Sequence, residues 1–219
     1  HNLQGYFESG KVTAFMGPSG AGKTTLLECI AGRRENGLIG RITVTGLNEK
    51  IKLRMVPQFD ALLGTLTVRE TLNFAAKLNN MPTKSVYNMI DKFELGVCAE
   101  ARTSKCSGGQ RKRLSIAIEY LSKPDILILD EPTTGLDTPT AKSLISLMAE
   151  LVSNERIAVL ATIHQPNMEI FNTFHHTYIL SRDGRCIFCG TPKELLSSLA
   201  IVGIPCPPFT NPADFIIEV

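Results

Sequence analysis

Gly17-Pro18-Ser19-Gly20-Ala21-Gly22-Lys23-Thr24, followed by Thr25, fits the pattern G-x-x-x-x-G-K-[ST], whose chemistry is the grip on a nucleotide's phosphates. Glycines let successive backbone N–H groups turn toward the β- and γ-phosphates, and the start of the next helix adds positive potential. Lys23 is suited to bridge the phosphates, and the Thr24 hydroxyl to hold Mg²⁺. Much later, Ile126-Leu127-Ile128-Leu129-Asp130-Glu131 is an apolar run that ends in two carboxylates. Asp130 suits the Mg²⁺ shell. Glu131 suits the polarisation of an attacking water as general base. Acidic residues after a strand often serve only as caps, so this pair gains its meaning from the phosphate loop.

These residues need a scaffold that brings distant segments to one edge. Val12 to Met16 reads as a strand running into the glycine turn, and Lys23 to Ala31 as the helix behind it. Ile51, Leu53 and Met55 alternate with Lys52 and Arg54, the pattern of a half-buried strand. Ile126 to Leu129 and Ala158 to Thr162 are continuous apolar runs, as in strands covered on both faces. Between the last two, Thr138-Pro139 is expected to be the cap and first residue of a helix. That helix carries Ala141, Leu144, Ile145, Met148 and Val152 on one side. Tyr178 to Cys189 predicts a hairpin turning at Asp183-Gly184. The order implies an α/β core with a mainly parallel sheet. From about residue 65 to 120 the strand signal disappears. There Thr67-Val68-Arg69-Glu70 is a capping box, Ser85 to Phe93 predicts a helix, and Leu114, Ala117, Ile118 and Leu121 follow helical spacing. The simplest account is a helical insert in the α/β core.

Composition is consistent with such a domain and narrows its partners. The 219 residues are 43% apolar and 20% charged, with a net charge of +2, an ordinary globular balance with no argument for nucleic acid. The run Arg111-Lys112-Arg113 is expected on a solvated helix face. The cysteines are Cys29, Cys98, Cys106, Cys186, Cys189 and Cys206. A chain of this size needs no disulfide staples, and nucleotide motifs point to a reducing compartment. Cys186-Ile187-Phe188-Cys189 has zinc half-site spacing, but a regular strand puts the two thiols on opposite faces. No apolar run reaches the length that crosses a bilayer. The chain starts at His1, not Met, so it is expected to be a fragment of a longer protein.

A third motif makes the resemblance specific. Cys106-Ser107-Gly108-Gly109-Gln110 resembles the signature of ATP-binding cassette (ABC) proteins, whose usual form begins with leucine. Cys106 is small and apolar, so weaker packing and no lost catalytic contact are expected. In that family Ser107, Gly108, Gly109 and Gln110 would face the γ-phosphate held by the opposite subunit. Gln58, in Val56-Pro57-Gln58, matches the glutamine that touches Mg²⁺ and assists catalysis. Asp137, in Thr134-Gly135-Leu136-Asp137, matches the loop that contacts the other subunit. His164, in Ile163-His164-Gln165-Pro166, matches the histidine that bonds the γ-phosphate. His1, His175 and His176 are read as structural. The wordings of the phosphate loop, of Gln110-Arg111-Lys112-Arg113-Leu114, of Ile163-His164-Gln165-Pro166 and of Asn211-Pro212-Ala213-Asp214-Phe215 look like subfamily G, the half-transporters that include the White eye-pigment proteins.

The resemblance implies a P-loop NTPase (RecA-like) core over residues 1–64 and 120–196, with an antiparallel β portion. It also implies a helical subdomain over 65–119 and a connector over 197–219 toward a membrane domain. It implies ATP and Mg²⁺ as ligands and a head-to-tail, ATP-dependent pair with a second cassette, identical or not. The parent would be a multi-pass membrane protein, with this domain on the cytoplasmic side. It would export a lipid, sterol, pigment precursor or xenobiotic. A soluble cassette ATPase of the translation or DNA-repair type is the alternative, as is a regulatory module that holds ATP without hydrolysing it. Intact Glu131 and His164 weigh against the last. Tyr6 and Phe7 read as part of the strand and turn before Lys11, so the aromatic residue that stacks on adenine is expected to lie outside this sequence.

Overall fold

A computed structural model describes residues 3–34, 38–45, 51–208 and 210–218; His1 lies outside them. Strands β1 (Val12–Met16), β2 (Leu53–Val56), β3 (Ile126–Leu129), β4 (Ala158–Thr162), β5 (His176–Leu180) and β6 (Cys186–Gly190) form one sheet, in the order β2-β3-β4-β1-β5-β6. Every neighbouring pair is parallel except β5 with β6. β1, β3, β4 and β5 are buried along their whole length, as expected of parallel strands covered on both faces. Alternation then sends Val12, Ala14, Met16, Leu127, Leu129, Val159 and Ala161 into the larger apolar cluster. Phe15, Ile126, Ile128, Ala158 and Leu160 go to a smaller cluster on the other face.

Helix α1 (Lys23–Ile30) follows β1 and packs its Leu27 into the smaller cluster. Helices α2 (Val68–Leu78), α3 (Lys84–Lys92) and α4 (Gly108–Tyr120) lie between β2 and β3. Two single-turn 3₁₀ helices join them, with an isolated antiparallel bridge between Thr67 and Arg102. The strandless insert is therefore helical, as its pattern predicts. Helix α5 (Thr138–Glu155) links β3 to β4, and α6 (Met168–Phe171) links β4 to β5. Helices α7 (Pro192–Ile201) and α8 (Pro212–Glu218) complete the chain, and α8 packs against α6. Among the described residues, no helix is long and apolar enough to cross a membrane.

The structure corrects three expectations. The cap of α5 is Asp137, extended at φ −69° and ψ 158°, with Thr138 first in the helix and Pro139 second. The Asp137 carbonyl already accepts the helical bond from Ala141 N–H at 2.9 Å, which moves the boundary back one residue.

Next, Arg111-Lys112-Arg113 is not a solvated face. Lys112 is 4% exposed, and Arg113 pairs with Glu94 and donates to Ser143 Oγ at 2.7 Å. The helix packs on both sides, so its basic residues are met by oxygens.

Finally, Cys186 and Cys189 do not face opposite ways. Cys189 pairs with Tyr178 and Cys186 with Leu180, across a register shift between Ile179 and Leu180. Tyr178 and Leu180 share a face and cross-strand partners point the same way, so the bulge returns both thiols to that face. The antiparallel β portion is, among the described residues, the β5–β6 pair and that single bridge.

Thr67 caps α2 reciprocally, accepting from Glu70 N–H at 3.1 Å while its own N–H donates to Glu70 Oε2 at 2.8 Å. Thr67→Ala is expected to cost about 1 kcal/mol and to lower the melting midpoint by about 2–4 °C. A thermal melt checks this, and an unchanged midpoint contradicts it.

Candidate nucleotide site

Parallel strands place all their C-terminal ends on one edge, where open α/β sheets bind ligands. Here that edge receives the phosphate loop after β1, Gln58 after β2, the carboxylates after β3 and His164 after β4.

The phosphate loop depends on its glycines. Gly17 has φ +143°, Gly20 +81° and Gly22 +90°, values that side chains rarely allow. At Gly17 an added Cβ would lie 2.4 Å from the carbonyl oxygen of Leu180. The loop thus rests directly on the end of β5. Pro18 O accepts from Ala21 N–H at 3.2 Å and closes the turn. Gly22 is the left-handed cap from which α1 starts, so Lys23, Thr24 and Thr25 form its first turn. Lys23 is 6% exposed, and its ammonium donates to Gly17 O at 2.8 Å and Pro18 O at 2.9 Å. Burial holds its pKa below the usual lysine value, opposed by the charges of Glu131 and Asp130.

Asp130 and Glu131 are fixed by hydroxyls. Asp130 Oδ1 accepts from Thr24 Oγ1 at 3.0 Å and from Thr162 Oγ1 at 2.7 Å. Thr162 also accepts from Glu131 N–H at 2.6 Å. The Glu131 carboxylate accepts from Gln58 Nε2 at 2.7 Å and from Thr134 Oγ1 at 2.9 Å. Glu131 has φ +44° and Gln165 has φ +45°, left-handed backbone that is uncommon for these residues and costs about 1–3 kcal/mol each.

Gly17, Pro18, Lys23, Thr24, Gln58, Asp130 and Glu131 are therefore joined by direct contacts. Ser19, Gly20, Thr24 and Thr25 are exposed at the loop's surface, and Ala21 is buried beneath it. His164 is exposed just past β4, and no hydrogen bond joins it to the others among the described residues.

Ser107, Gly108, Gly109, Gln110 and Asp137 form a second group. Ser107 caps α4, accepting from Gln110 N–H at 3.2 Å while its N–H donates to Gln110 Oε1 at 2.9 Å. A Cβ on Gly109 would lie 2.3 Å from Thr140 Cγ2, and one on Gly108 3.3 Å from Leu136 Cδ2. The signature glycines thus let α4 begin against the Asp137 segment. Cys106 is 5% exposed in the larger core cluster, with its thiol 3.5 Å from Arg102 O. No hydrogen bond joins this group to the phosphate loop among the described residues.

Sequence reasoning missed Thr162, the hydroxyl that ties the Asp130 carboxylate to the Glu131 backbone N–H, and Lys112, which reaches the Gln58 backbone. Thr162 had a readable sign, as the one polar residue closing an otherwise apolar buried strand.

A model of the ABC transporter family matches residues 1–134, which span the phosphate loop, Gln58, the signature and both carboxylates. The chain belongs to the ABC transporter family. ATP-binding cassette sub-family G member 5 of Mus musculus is 39% identical over 97% of this chain and 35% of its own length. The broad substrate specificity ATP-binding cassette transporter of Sus scrofa is 37% identical over 100% of this chain and 35% of its own. The chain thus spans about a third of these relatives. Among solved structures, cbiO1 of Clostridium perfringens, part of an ABC transporter complex, superposes with a TM-score of 0.77. It covers 92% of this chain and 85% of that one at 24% identity, a likeness of fold. This chain is a nucleotide-binding domain of the family, similar to its subfamily G, and such domains bind ATP.

Gly17→Ala tests the loop geometry. It forces a Cβ against a backbone carbonyl in a left-handed conformation and is expected to cost about 1–3 kcal/mol. A melting midpoint equal to that of the parent chain would show that the close approach to Leu180 is not required.

Proposed function

We propose that this chain is the ATP-hydrolysing motor of a half-transporter whose membrane domain moves a lipid, sterol, pigment precursor or xenobiotic. The observation that carries the reading is the direct bonding of the phosphate loop to the carboxylates, Thr24 to Asp130, across the edge of the sheet.

The residues present fit Mg²⁺. A hydroxyl and a buried carboxylate, oxygens 3.0 Å apart, are the hard donors this ion takes, with waters and substrate phosphates completing its shell. Thr24, Asp130 and Gln58 would hold it, and when bound it would neutralise charge on the phosphates. The Lys23 ammonium, now on Gly17 O and Pro18 O, would exchange those carbonyls for phosphate oxygens. Gly17, Ser19, Gly20, Ala21, Gly22, Thr24 and Thr25 would wrap the phosphates with main-chain N–H groups and hydroxyls, and Pro18, which has no N–H, would shape the loop around them. Glu131, oriented by Gln58 and Thr134, would take the proton of the attacking water. His164 would donate to the γ-phosphate from the end of β4. Positioning and electrostatic stabilisation would dominate the rate.

The second group suits a contact made from outside. Ser107 accepts its capping bond through a lone pair, so its O–H remains free to donate. At the start of α4, with Gly108, Gly109 and Gln110, it would face the γ-phosphate of a second cassette, and Asp137 would touch that cassette. Two chains head to tail, identical or different, would then close on ATP and part after hydrolysis, a γ-phosphate switch. Residues 1–64 and 120–196 would form the ATP-binding core, 65–119 the helical subdomain, and 197–219 the connector to a multi-pass membrane domain. The soluble-cassette alternative has no observation in its favour.

Glu131→Gln is the direct test. It keeps shape and hydrogen bonding but removes the base, so turnover is expected to fall by about 10²–10⁴-fold while ATP still binds. Phosphate release and nucleotide binding measure the two. Parent-like turnover would remove Glu131 from the role of base.

A further inference from the structure

Gln58 is held from two directions. Its side-chain amide donates to Glu131 Oε2 at 2.7 Å, and its backbone carbonyl accepts from the Lys112 ammonium at 2.8 Å. The same ammonium stands 3.4 Å from Pro57 O and 2.8 Å from Asp60 Oδ1. Lys112 belongs to α4, in the second turn after the Ser107 cap, and is 4% exposed. A cation that deep is costly unless its donors are met. Two carbonyls accept hydrogen bonds from it and the Asp60 carboxylate is its ion-pair partner, all within the segment Pro57 to Asp60.

Its basic neighbours point elsewhere. Arg111 donates to Cys106 O, and Arg113 engages Glu94 and Ser143. Lys112 is the member of the run that grips the Gln58 segment.

We propose that Lys112 is a positioning residue. Through Pro57 O, Gln58 O and Asp60 it seats the Gln58 amide on Glu131, and it makes that seating depend on where α4 lies. An ammonium is a compact point donor on a flexible stem, but this stem is enclosed, so a displacement of α4 moves the Gln58 backbone with it. The consequence is directional. Whatever engages Ser107 at the first turn of α4 also sets the orientation of Glu131, through a path of two side chains. The inference deepens the proposed hydrolytic role, and rests on it for the identity of the reaction.

Steady-state ATPase kinetics of the full-length protein test it. Lys112→Met with Asp60→Asn removes both charges together and leaves no unpaired buried ion. The expected result is a kcat lower by about tenfold with KM for ATP within about twofold, the split of a group acting on the chemical step. Adding Gln58→Ala should lower kcat little further, because the substitutions act through one side chain. Lys112→Gln with Asp60→Asn keeps an N–H for Gln58 O and should recover kcat toward the parent; Lys112→Leu with Asp60→Asn carries the cycle if the first pair does not fold. Parent-like kcat in the Lys112→Met pair, or losses that multiply with Gln58→Ala, would overturn the proposal. Glu131→Gln measured alongside keeps the two readings apart. Full turnover there removes the base assignment, whereas the Lys112–Gln58 coupling is judged on the cycle alone.

Discussion

Asp130 Oδ1 accepts hydrogen bonds from two hydroxyls that reach it from different parts of the chain. Thr24 comes from the first turn of α1, and Thr162 from the last position of β4. Asp130 is 6% exposed and Thr162 fully buried, so these bonds form where water competes little and a carboxylate is costly without partners. A buried anion at the end of β3 requires donors on both flanking segments. The sheet order supplies them, because β4 lies between β3 and β1. The phosphate loop, the Asp130 carboxylate and the last residue of β4 are thereby locked into one arrangement.

Two of the described left-handed non-glycine residues lie beside that lock. Glu131 comes two residues after β3 and Gln165 three after β4, and both hold left-handed backbone. Glu131 N–H is tied to Thr162 Oγ1, which is tied to Asp130. The strained turn is therefore overdetermined by the same hydroxyl that orients the acid. Farther along, Asn211 Nδ2 donates to Pro166 O at 2.6 Å, which fastens the segment before α8 to the loop that carries His164. The Gly108–Gly109 start of α4 packs close against Leu136 and Thr140. The signature and the Asp137 loop are thus packed together, and among the described residues no hydrogen bond joins them to the phosphate loop of the same chain.

Much of this was legible in the residues. The phosphate loop announces itself because its backbone needs glycine at fixed positions and a lysine at the helix start. The buried strands are visible because parallel strands must be apolar on both faces. The Thr67 box is visible because its two bonds demand specific residue types three apart. The errors have equally physical causes. Lys112 is written like any surface lysine, and only the packing of α4 against the Gln58 segment reveals its burial. The thiols of Cys186 and Cys189 share a face because of a one-residue bulge, which periodicity cannot display. The helix cap fell to Asp137 and not Thr138, since both are good capping types and backbone geometry decides. The reciprocal bonds of Ser107 and Gln110 follow the same box pattern as Thr67, in a sequence whose glycines also suit a phosphate contact.

In the proposed function, Asp130 and Thr24 form a metal-dependent phosphate site. Calorimetric titration of ATP, with Mg²⁺ and with chelator, into the parent chain and into Asp130→Ala tests it most directly. Mg²⁺ should strengthen binding to the parent by about tenfold or more, equivalent to about 1.4 kcal/mol, and leave the variant's affinity unchanged. The same Mg²⁺ enhancement in both would place the metal elsewhere and contradict the account.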